Sequence, residues 1–215
     1  MDFALARTNM VKSQVQPHEV LDETLLGSMM VVEREQFFPA DRQYMAYSDM
    51  PITMAPGRRC LTPMQIAWLI KSAKVTQGSK VLLVGATTGY EAALMAHMGA
   101  QVFALECDPG LADKGAELTQ ALAVSWQVGD LTQGWASAAP FDAIILTGAV
   151  EKMPAALAKQ LDAYGVMVAV VGQAGAATMS AVRVIGPTGL HHPERLYETR
   201  IDPLPGFAEP VAFQL

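Results

Sequence analysis

The sequence has few of the residues from which disulfide frameworks and metal sites are built. Its two cysteines, Cys60 and Cys107, do not form a CxxC pair, and none of its four histidines belongs to an HExxH or similar pattern. Disulfide-stapled domains and zinc sites carry such spacings. We therefore expect a reduced protein that binds no metal ion.

Charge is also scarce, and long apolar runs are missing. Charged residues make up 17% of the chain, the net charge is −6 and the pI is about 5.2, so the overall field disfavours nucleic acid as a partner. The basic pair Arg58–Arg59 is too short for a nucleic-acid patch. No segment reaches the roughly 18 apolar residues of a membrane span, and MDFALARTNMVKSQ at the start lacks the apolar core of a secretory signal. These absences predict a cytoplasmic protein with neither a membrane nor nucleic acid as a partner.

What is present is a chain with 51% hydrophobic residues, in which strand-like and helix-like segments alternate from Lys80 onward. KVLLVG has the continuous apolar character of a strand buried on both faces, and YEAALMAHMG is typical of a short helix that ends at Gly99. Further segments follow in turn: QVFALE, GLADKGAELTQALA, VSWQVGD, FDAIILTGA, MPAALAKQLDAYG and VMVAVVG. This alternation predicts an α/β fold with a doubly wound, mainly parallel sheet.

The segments that flank the alternation have a different character. Residues 1–38 have helical spacing, with Pro17 at the start of a second helix. Thr62 is placed to cap a helix that begins at Pro63. The tail, residues 177–215, is rich in β-branched and alternating residues and predicts antiparallel strands.

No internal repeat or low-complexity segment divides the chain. A length of 215 residues fits one large domain. We interpret 1–215 as a single domain, in which 1–75 form a helical extension and 76–215 form a cofactor-type core.

Glycines and acidic or hydroxyl side chains follow the first four predicted strands. In open α/β sheets, ligands bind beyond the carboxyl ends of the strands, near the switch in strand order. The residues at these ends are Gly85–Gly89, Glu106, Gly129–Asp130 and Thr147–Gly148. We therefore expect these four positions to converge on one cleft.

The chemistry of these residues favours a nucleoside cofactor without phosphates. Gly85 and Gly89 would let a ligand approach the backbone, Glu106 could accept hydrogen bonds from both ribose hydroxyls, and Asp130 could accept from an exocyclic amine. The dinucleotide fingerprint G-x-G-x-x-G is broken by Thr87 and Tyr90. S-adenosylmethionine therefore fits better than NAD.

Each feature alone also has an ordinary structural explanation. A turn with two glycines joins strand to helix in many α/β proteins. Glu106 alone would suit a solvated strand end, and Asp130 alone would suit the cap of a helix or turn. Only the spacing of all four positions together favours a cofactor site.

Several blocks of the chain, taken in order, resemble the protein-L-isoaspartate O-methyltransferase family over nearly the whole length. They include MVKSQV, LLGSMMVVEREQFFP, GRRCLTP, KVLLVGATTGYEAALMAHMGAQVFALE and VGDLTQGWASAAPFDAIILTGAV. The resemblance implies a Rossmann-like methyltransferase fold and S-adenosylmethionine as the cofactor. It implies that the cofactor contacts the loop and strand ends at Gly85, Thr87, Gly89, Glu106, Asp130 and Leu131, with Thr62 nearby.

The chain departs from the family pattern near this site. Leu61 stands where the family has a hydroxyl near the reacting groups, and Leu61 and Thr62 together occupy that hydroxyl region. Leu83 stands where an acid helps to hold the ammonium end of the cofactor, and Thr87 replaces the middle glycine of G-x-G-x-G. In the tail, Asp202 precedes a proline where the family has an apolar residue.

By this resemblance we expect a carboxyl O-methyltransferase that methylates abnormal aspartyl residues in damaged proteins or peptides, for protein repair. Two alternatives stay open. One is a descendant without catalysis that acts as a binding or scaffold protein. The other is a methyltransferase with a different acceptor. The sequence assigns no catalytic residue and leaves the oligomeric state open.

Overall fold

The N-terminal part of the chain is helical in the computed structural model, which describes residues 1–173 and 176–208. Helix α1 (Phe3–Met10) continues into a π-helical turn (Val11–Val15) and a short 3-10 turn (Gln16–His18), and α2 spans Glu23–Val31. The prediction of a helix starting at Pro17 is wrong, because Glu19 takes a left-handed backbone (φ 61°) and ends the turn. Helix α2 begins later, where the Asp22 carboxylate accepts a hydrogen bond from the Leu25 N–H.

A small hairpin precedes the third helix. Two 3-10 turns (Arg34–Phe37 and Gln43–Met45) lead to strands β1 (Thr53–Ala55) and β2 (Arg58–Arg59), which pair antiparallel. Helix α3 (Pro63–Ser72) begins as predicted, with Thr62 and Gln65 forming a reciprocal capping box.

A seven-stranded sheet occupies the rest of the chain. Its strands and the helices between them are β3 (Lys80–Val84), α4 (Tyr90–His97), β4 (Gln101–Glu106), α5 (Pro109–Leu118), β5 (Val124–Val128), β6 (Phe141–Val150), α6 (Ala155–Ala158), β7 (Leu161–Val171), β8 (Met179–Ile185) and β9 (Glu194–Thr199). The strand order is β5-β4-β3-β6-β7-β8-β9. The first four pairings in that order are parallel, and β8 and β9 are antiparallel to their neighbours.

This topology confirms the predicted doubly wound α/β fold with antiparallel C-terminal strands. The chain runs from β3 outward to β5 and then returns to place β6 on the other side of β3. The switch in strand order therefore lies between β3 and β6, where a ligand crevice is expected at the carboxyl ends. Residues 209–215 of the predicted tail lie outside the described part of the chain, and the boundary at residue 75 stays a prediction.

Two element predictions near the end of the sheet are wrong. The helix predicted over MPAALAKQLDAYG is only the four residues of α6, because Leu161 already pairs with Phe141 as the start of β7. Strand pairing in the sheet here overrides local helix propensity. Thr147 and Gly148, expected beyond the fourth strand, lie inside β6 at an irregularity in its pairing with β7.

The core lies on both faces of the sheet, and β3 contributes to each. Val81 and Leu83 pack in the cluster that also contains the apolar residues of the N-terminal helices, α3 and α4. Leu82 and Val84 pack on the opposite face with Leu204 of the tail. No helix in residues 1–173 and 176–208 is both long and apolar enough to cross a membrane.

Candidate cofactor site and adjoining cavity

The loop between β3 and α4 keeps the backbone of a glycine-rich turn although its middle residue is threonine. Gly85 and Gly89 have φ angles of 82° and 86°, and Thr87 has a φ of 48°. A left-handed backbone is unfavourable for a β-branched residue. The turn geometry is therefore maintained against the local preference of Thr87, which is buried.

Glu106, at the end of β4, is fully buried and not a solvated strand end. Its Oε2 accepts a hydrogen bond from the Thr87 N–H at 2.8 Å. Its Oε1 accepts from the backbone N–H groups of Cys107 at 2.9 Å and Asp108 at 3.1 Å. The loop and the start of α5 thus hold this carboxylate from two sides. Burial, together with the neighbouring Glu106 carboxylate, raises the pKa of the Cys107 thiol.

Arg58 of the β1–β2 hairpin completes the surroundings of Glu106. Its Nη2 lies 2.7 Å from Glu106 Oε2 and also donates to the Gly85 carbonyl at 3.0 Å. The two side chains are 8% and 0% exposed, so this is a buried ion pair. The sequence analysis considered Arg58 only as half of a short basic pair and missed this contact, which joins residues 48 apart.

The open side of Gly85 is covered by side chains from three other elements. A Cβ placed on Gly85 would lie 2.5 Å from Leu204 Cδ2, 2.9 Å from Thr147 Oγ1 and 3.2 Å from Arg58 Nη2. The Thr147 hydroxyl donates to the Gly85 carbonyl. A side chain here would have to displace these groups and would also need a left-handed backbone (φ 82°), so glycine is strongly favoured at this position.

Asp130 follows β5 as predicted but has a different environment from Glu106. Its carboxylate is exposed and accepts hydrogen bonds from the backbone N–H (2.8 Å) and the hydroxyl (2.7 Å) of Thr132, which lower its pKa. Leu131 is buried in the core. The two strand ends are adjacent, because the Gly129 N–H donates to the Glu106 carbonyl at 3.0 Å. The structure therefore brings the backbones together, while the Asp130 carboxylate caps its own turn.

A cavity of about 190 Å³ adjoins this site between the β1–β2 hairpin, β6 and the tail. Its lining includes Arg58, Leu61 and Thr147. Thr62 is not among the lining residues of this cavity, and its Oγ1 accepts a hydrogen bond from the Gln65 N–H at the start of α3.

Arg59 and Asp202 line the same cavity and form an ion pair with each other. Arg59 donates from Nε and Nη2 to the two carboxylate oxygens, and this pairing raises the pKa of the guanidinium. The tail beside it is fixed to β6, because the Ala149 N–H donates to the Asp202 carbonyl at 2.7 Å. Arg59 and Asp202, which are far apart in the sequence, therefore form a single ion pair in the wall of the cavity.

Comparison with known proteins agrees with this architecture. Residues 6–188 match the family model described as protein-L-isoaspartate(D-aspartate) O-methyltransferase. A protein-L-isoaspartate O-methyltransferase from Methylorubrum populi is 39% identical over 85% of this chain and 87% of its own length. One from Roseiflexus sp. is 35% identical over 96% of this chain and 94% of its own.

The chain belongs to the protein-L-isoaspartate(D-aspartate) O-methyltransferase family. Solved structures agree on the fold. A protein-L-isoaspartate O-methyltransferase superposes with a TM-score of 0.81 at 18% identity, covering 94% of this chain and 67% of that one. A Plasmodium falciparum homologue in complex with S-adenosyl-L-homocysteine gives a TM-score of 0.77 at 18% identity, covering 95% and 98%.

Within this family, the residues present fit the nucleoside end of S-adenosylmethionine better than its amino-acid end. The buried carboxylate of Glu106, held by backbone donors beside Gly85, is the type of acceptor that ribose hydroxyls require. Leu83 is fully buried between Ala104 and Ile145 in the sheet and is absent from the described lining of the cavity. An apolar side chain at this position offers no negative charge to an ammonium group.

Proposed function

We propose that this chain is an S-adenosylmethionine-dependent carboxyl O-methyltransferase that methylates isoaspartyl and D-aspartyl residues of damaged proteins. The observation that carries the proposal is the buried Glu106 carboxylate at the carboxyl end of β4, within a chain that belongs to this family. Glu106 would hold the ribose of the cofactor, and Gly85 and Thr87 would contact it through the loop. Asp130 and Leu131 would lie at the adenine end, and Gly89 at the start of α4.

The proposed reaction needs no general base from the protein. The acceptor carboxylate has a pKa near 4, so it is already ionised at pH 7. When bound, the cofactor supplies a methyl group on a sulfonium. The residues of this chain then have to position the acceptor and exclude water. The cavity beside Gly85, with Leu61 in its wall, suits an acceptor side chain.

The proposal includes damaged proteins or peptides as partners and the cytoplasm as the location. The net charge of −6 supports the expectation that nucleic acid is not a partner. The two cysteines, Cys60 and Cys107, are free thiols, and reduced thiols are usual in the cytoplasm.

A methyl-transfer assay with paired peptides tests the proposal. One peptide carries isoaspartate and the other carries ordinary aspartate at the same position, and the product is measured as a base-labile methyl ester. We expect transfer only to the isoaspartyl peptide. Glu106→Gln should reduce kcat/KM at limiting cofactor by about 10- to 100-fold, since a hydrogen bond to a charged group is worth about 1.5–3 kcal/mol.

The matched control for that variant is Glu117→Gln on α5. Glu117 is exposed and forms an ion pair with Lys114, three residues away, so this change should leave the rate within about twofold of wild type. Equal rates in wild type and Glu106→Gln would contradict the assignment of Glu106 to the cofactor.

One observation favours a second candidate, a binding protein without catalysis. Arg58 already engages the carboxylate that the cofactor would use, and Leu61 brings no hydroxyl to the cavity. In the same assay, this candidate predicts that the isoaspartyl peptide binds, as measured by fluorescence anisotropy, while no methyl ester forms at any cofactor concentration.

A further inference from the structure

The carboxylate assigned to the cofactor is fully occupied by donors of the protein itself. Its Oε2 accepts from Arg58 Nη2 and the Thr87 N–H. Its Oε1 accepts from the N–H groups of Cys107 and Asp108, and the Cys107 thiol donates to the same atom at 3.4 Å. A carboxylate offers about four lone-pair sites. Glu106 therefore has no free acceptor capacity for two ribose hydroxyls.

Arg58 is the one strong donor among these that belongs to a side chain, because the other three are backbone N–H groups. The Thr87 N–H belongs to the loop that joins β3 to α4, and Asp108 is the N-cap of α5. Arg58, in contrast, lies on the two-residue strand β2, which is not part of the seven-stranded sheet. Removing its guanidinium from Glu106 requires only rotation about side-chain bonds, whereas removing a backbone donor requires the main chain to move.

The structure also provides a place for the displaced guanidinium. Arg58 lines the cavity of about 190 Å³ next to the loop. Its Nε is buried and has no hydrogen-bond partner in the described part of the chain, which is a cost of its present position. The hairpin turn at Gly57, which also lines the cavity, is exposed.

We propose that Arg58 is an internal competitor for the cofactor site, and that the cofactor binds only to molecules in which Arg58 has moved from Glu106 into the adjoining cavity. This inference rests on the proposed function. In the closed state, Arg58 pairs with Glu106. In the open state, Arg58 has moved away, and Glu106 Oε2 is free to accept a hydrogen bond from a ribose hydroxyl. The apparent affinity is then reduced by the fraction of molecules that are open.

Calorimetric titration with S-adenosylhomocysteine tests the proposal on wild type, Arg58→Met, Arg58→Lys and Arg183→Met. Minor states of this kind are populated at about 0.1–10%, so Arg58→Met should tighten binding by at least about tenfold. Arg58→Lys keeps a cation near Glu106 but cannot form the same contacts, and it should tighten binding by at least about threefold. Folding of each variant is checked by circular dichroism.

Arg183→Met is the matched control. This substitution removes the same charge as Arg58→Met and breaks the ion pair of Arg183 with Glu194 at 2.6 Å. Arg183 lies in β8 and is not among the residues that line the cavity. We expect its Kd to stay within about twofold of wild type. If this control tightened binding as much as Arg58→Met, net charge rather than displacement would explain the effect, and the proposal would be overturned.

The outcomes separate this inference from the proposed function. If wild type binds and neither Arg58 variant binds more tightly, the competitor role is wrong while the proposed function stands. If no protein in the series binds at millimolar ligand, the proposed function fails and this inference with it. If Arg58→Met does not fold, Arg58→Lys decides, because it retains a counter-charge for Glu106.

Discussion

Arg58 and Arg59 are neighbours in β2 and line the same cavity, but they form ion pairs with different parts of the chain. Arg58 pairs with Glu106 beside the cofactor loop, and Arg59 pairs with Asp202 in the tail. The first pair is almost completely buried, with side chains 8% and 0% exposed, whereas those of the second pair are 46% and 36% exposed. The same residue type at adjacent positions is thus in two very different dielectric environments.

This difference determines what each pair contributes. Removing one partner of a buried pair leaves an uncompensated charge in the interior. An exposed pair gains little, since water and salt screen both charges in the folded and unfolded states. We therefore expect Arg58 to affect stability and cofactor access, and Arg59 to affect mainly the rim of the cavity.

The largest effect is expected for Arg58→Met. It should lower the free energy of unfolding by about 3 kcal/mol, at the low end of the cost of breaking a buried ion pair, because three backbone N–H groups still hold Glu106. Arg59→Met should lower it by less than about 1 kcal/mol. Urea denaturation of both variants measures the comparison, and equal losses would show that burial does not separate the two arginines.

If Arg58→Met also binds S-adenosylhomocysteine more tightly, the variant combines lower stability with higher affinity. A general loosening of the fold does not produce that combination. A variant that only loosened the fold would lose stability and affinity together. Lower stability with higher affinity therefore distinguishes removal of a competitor from general disruption.

Residues of this site could be predicted from the sequence where a rule about strand ends applied. Gly85 follows β3 and Glu106 ends β4, and parallel strands align their carboxyl ends, so their proximity follows from the alternation of strands and helices. Arg58 could not be found in this way. It comes from a segment without regular periodicity, and nothing in the sequence relates a hairpin at residue 58 to a strand end at residue 106.

The same reasoning explains two further differences between prediction and structure. The helical spacing of MPAALAKQLDAYG is real, but most of it is overridden because Leu161 pairs with Phe141 in the sheet. Arg59 and Asp202 were recognised separately, since 143 residues separate them. Local patterns predict elements, and they do not reveal contacts between side chains that only the assembled fold brings together.

A smaller effect is expected at Thr87, whose N–H shares Glu106 Oε2 with Arg58. Thr87→Gly keeps that N–H donor and removes a β-branched side chain from a left-handed backbone. A left-handed residue costs roughly 1–2 kcal/mol, and glycine in the unfolded chain offsets part of the gain. We expect a net stabilisation of about 1 kcal/mol in urea denaturation.

Thr88→Gly is the matched control for this change. Thr88 is the next residue of the same loop, has no positive φ, and donates its hydroxyl to the Phe37 carbonyl at 2.7 Å. The same substitution there should destabilise the protein. A loss of stability in both variants would mean that the loop does not strain Thr87.

The smallest effect is expected for the coupling energy between Arg59 and Asp202, the exposed ion pair that is compared with the buried pair of Arg58 and Glu106. A double-mutant cycle with Arg59→Met, Asp202→Asn and the double variant should give a coupling energy of about 0.5 kcal/mol, within the range for exposed pairs. The two-point contact favours a value above zero. The backbone hydrogen bond from the Ala149 N–H to the Asp202 carbonyl remains in every variant, so the tail stays attached to β6.

Raising the salt from about 0.1 M to about 1 M shortens the Debye length from about 10 Å to about 3 Å and should remove most of the coupling between Arg59 and Asp202. A coupling above about 2 kcal/mol that salt does not change would place this pair in the same class as Arg58 and Glu106, and the rim of the cavity would then be as firmly closed as the loop beneath it.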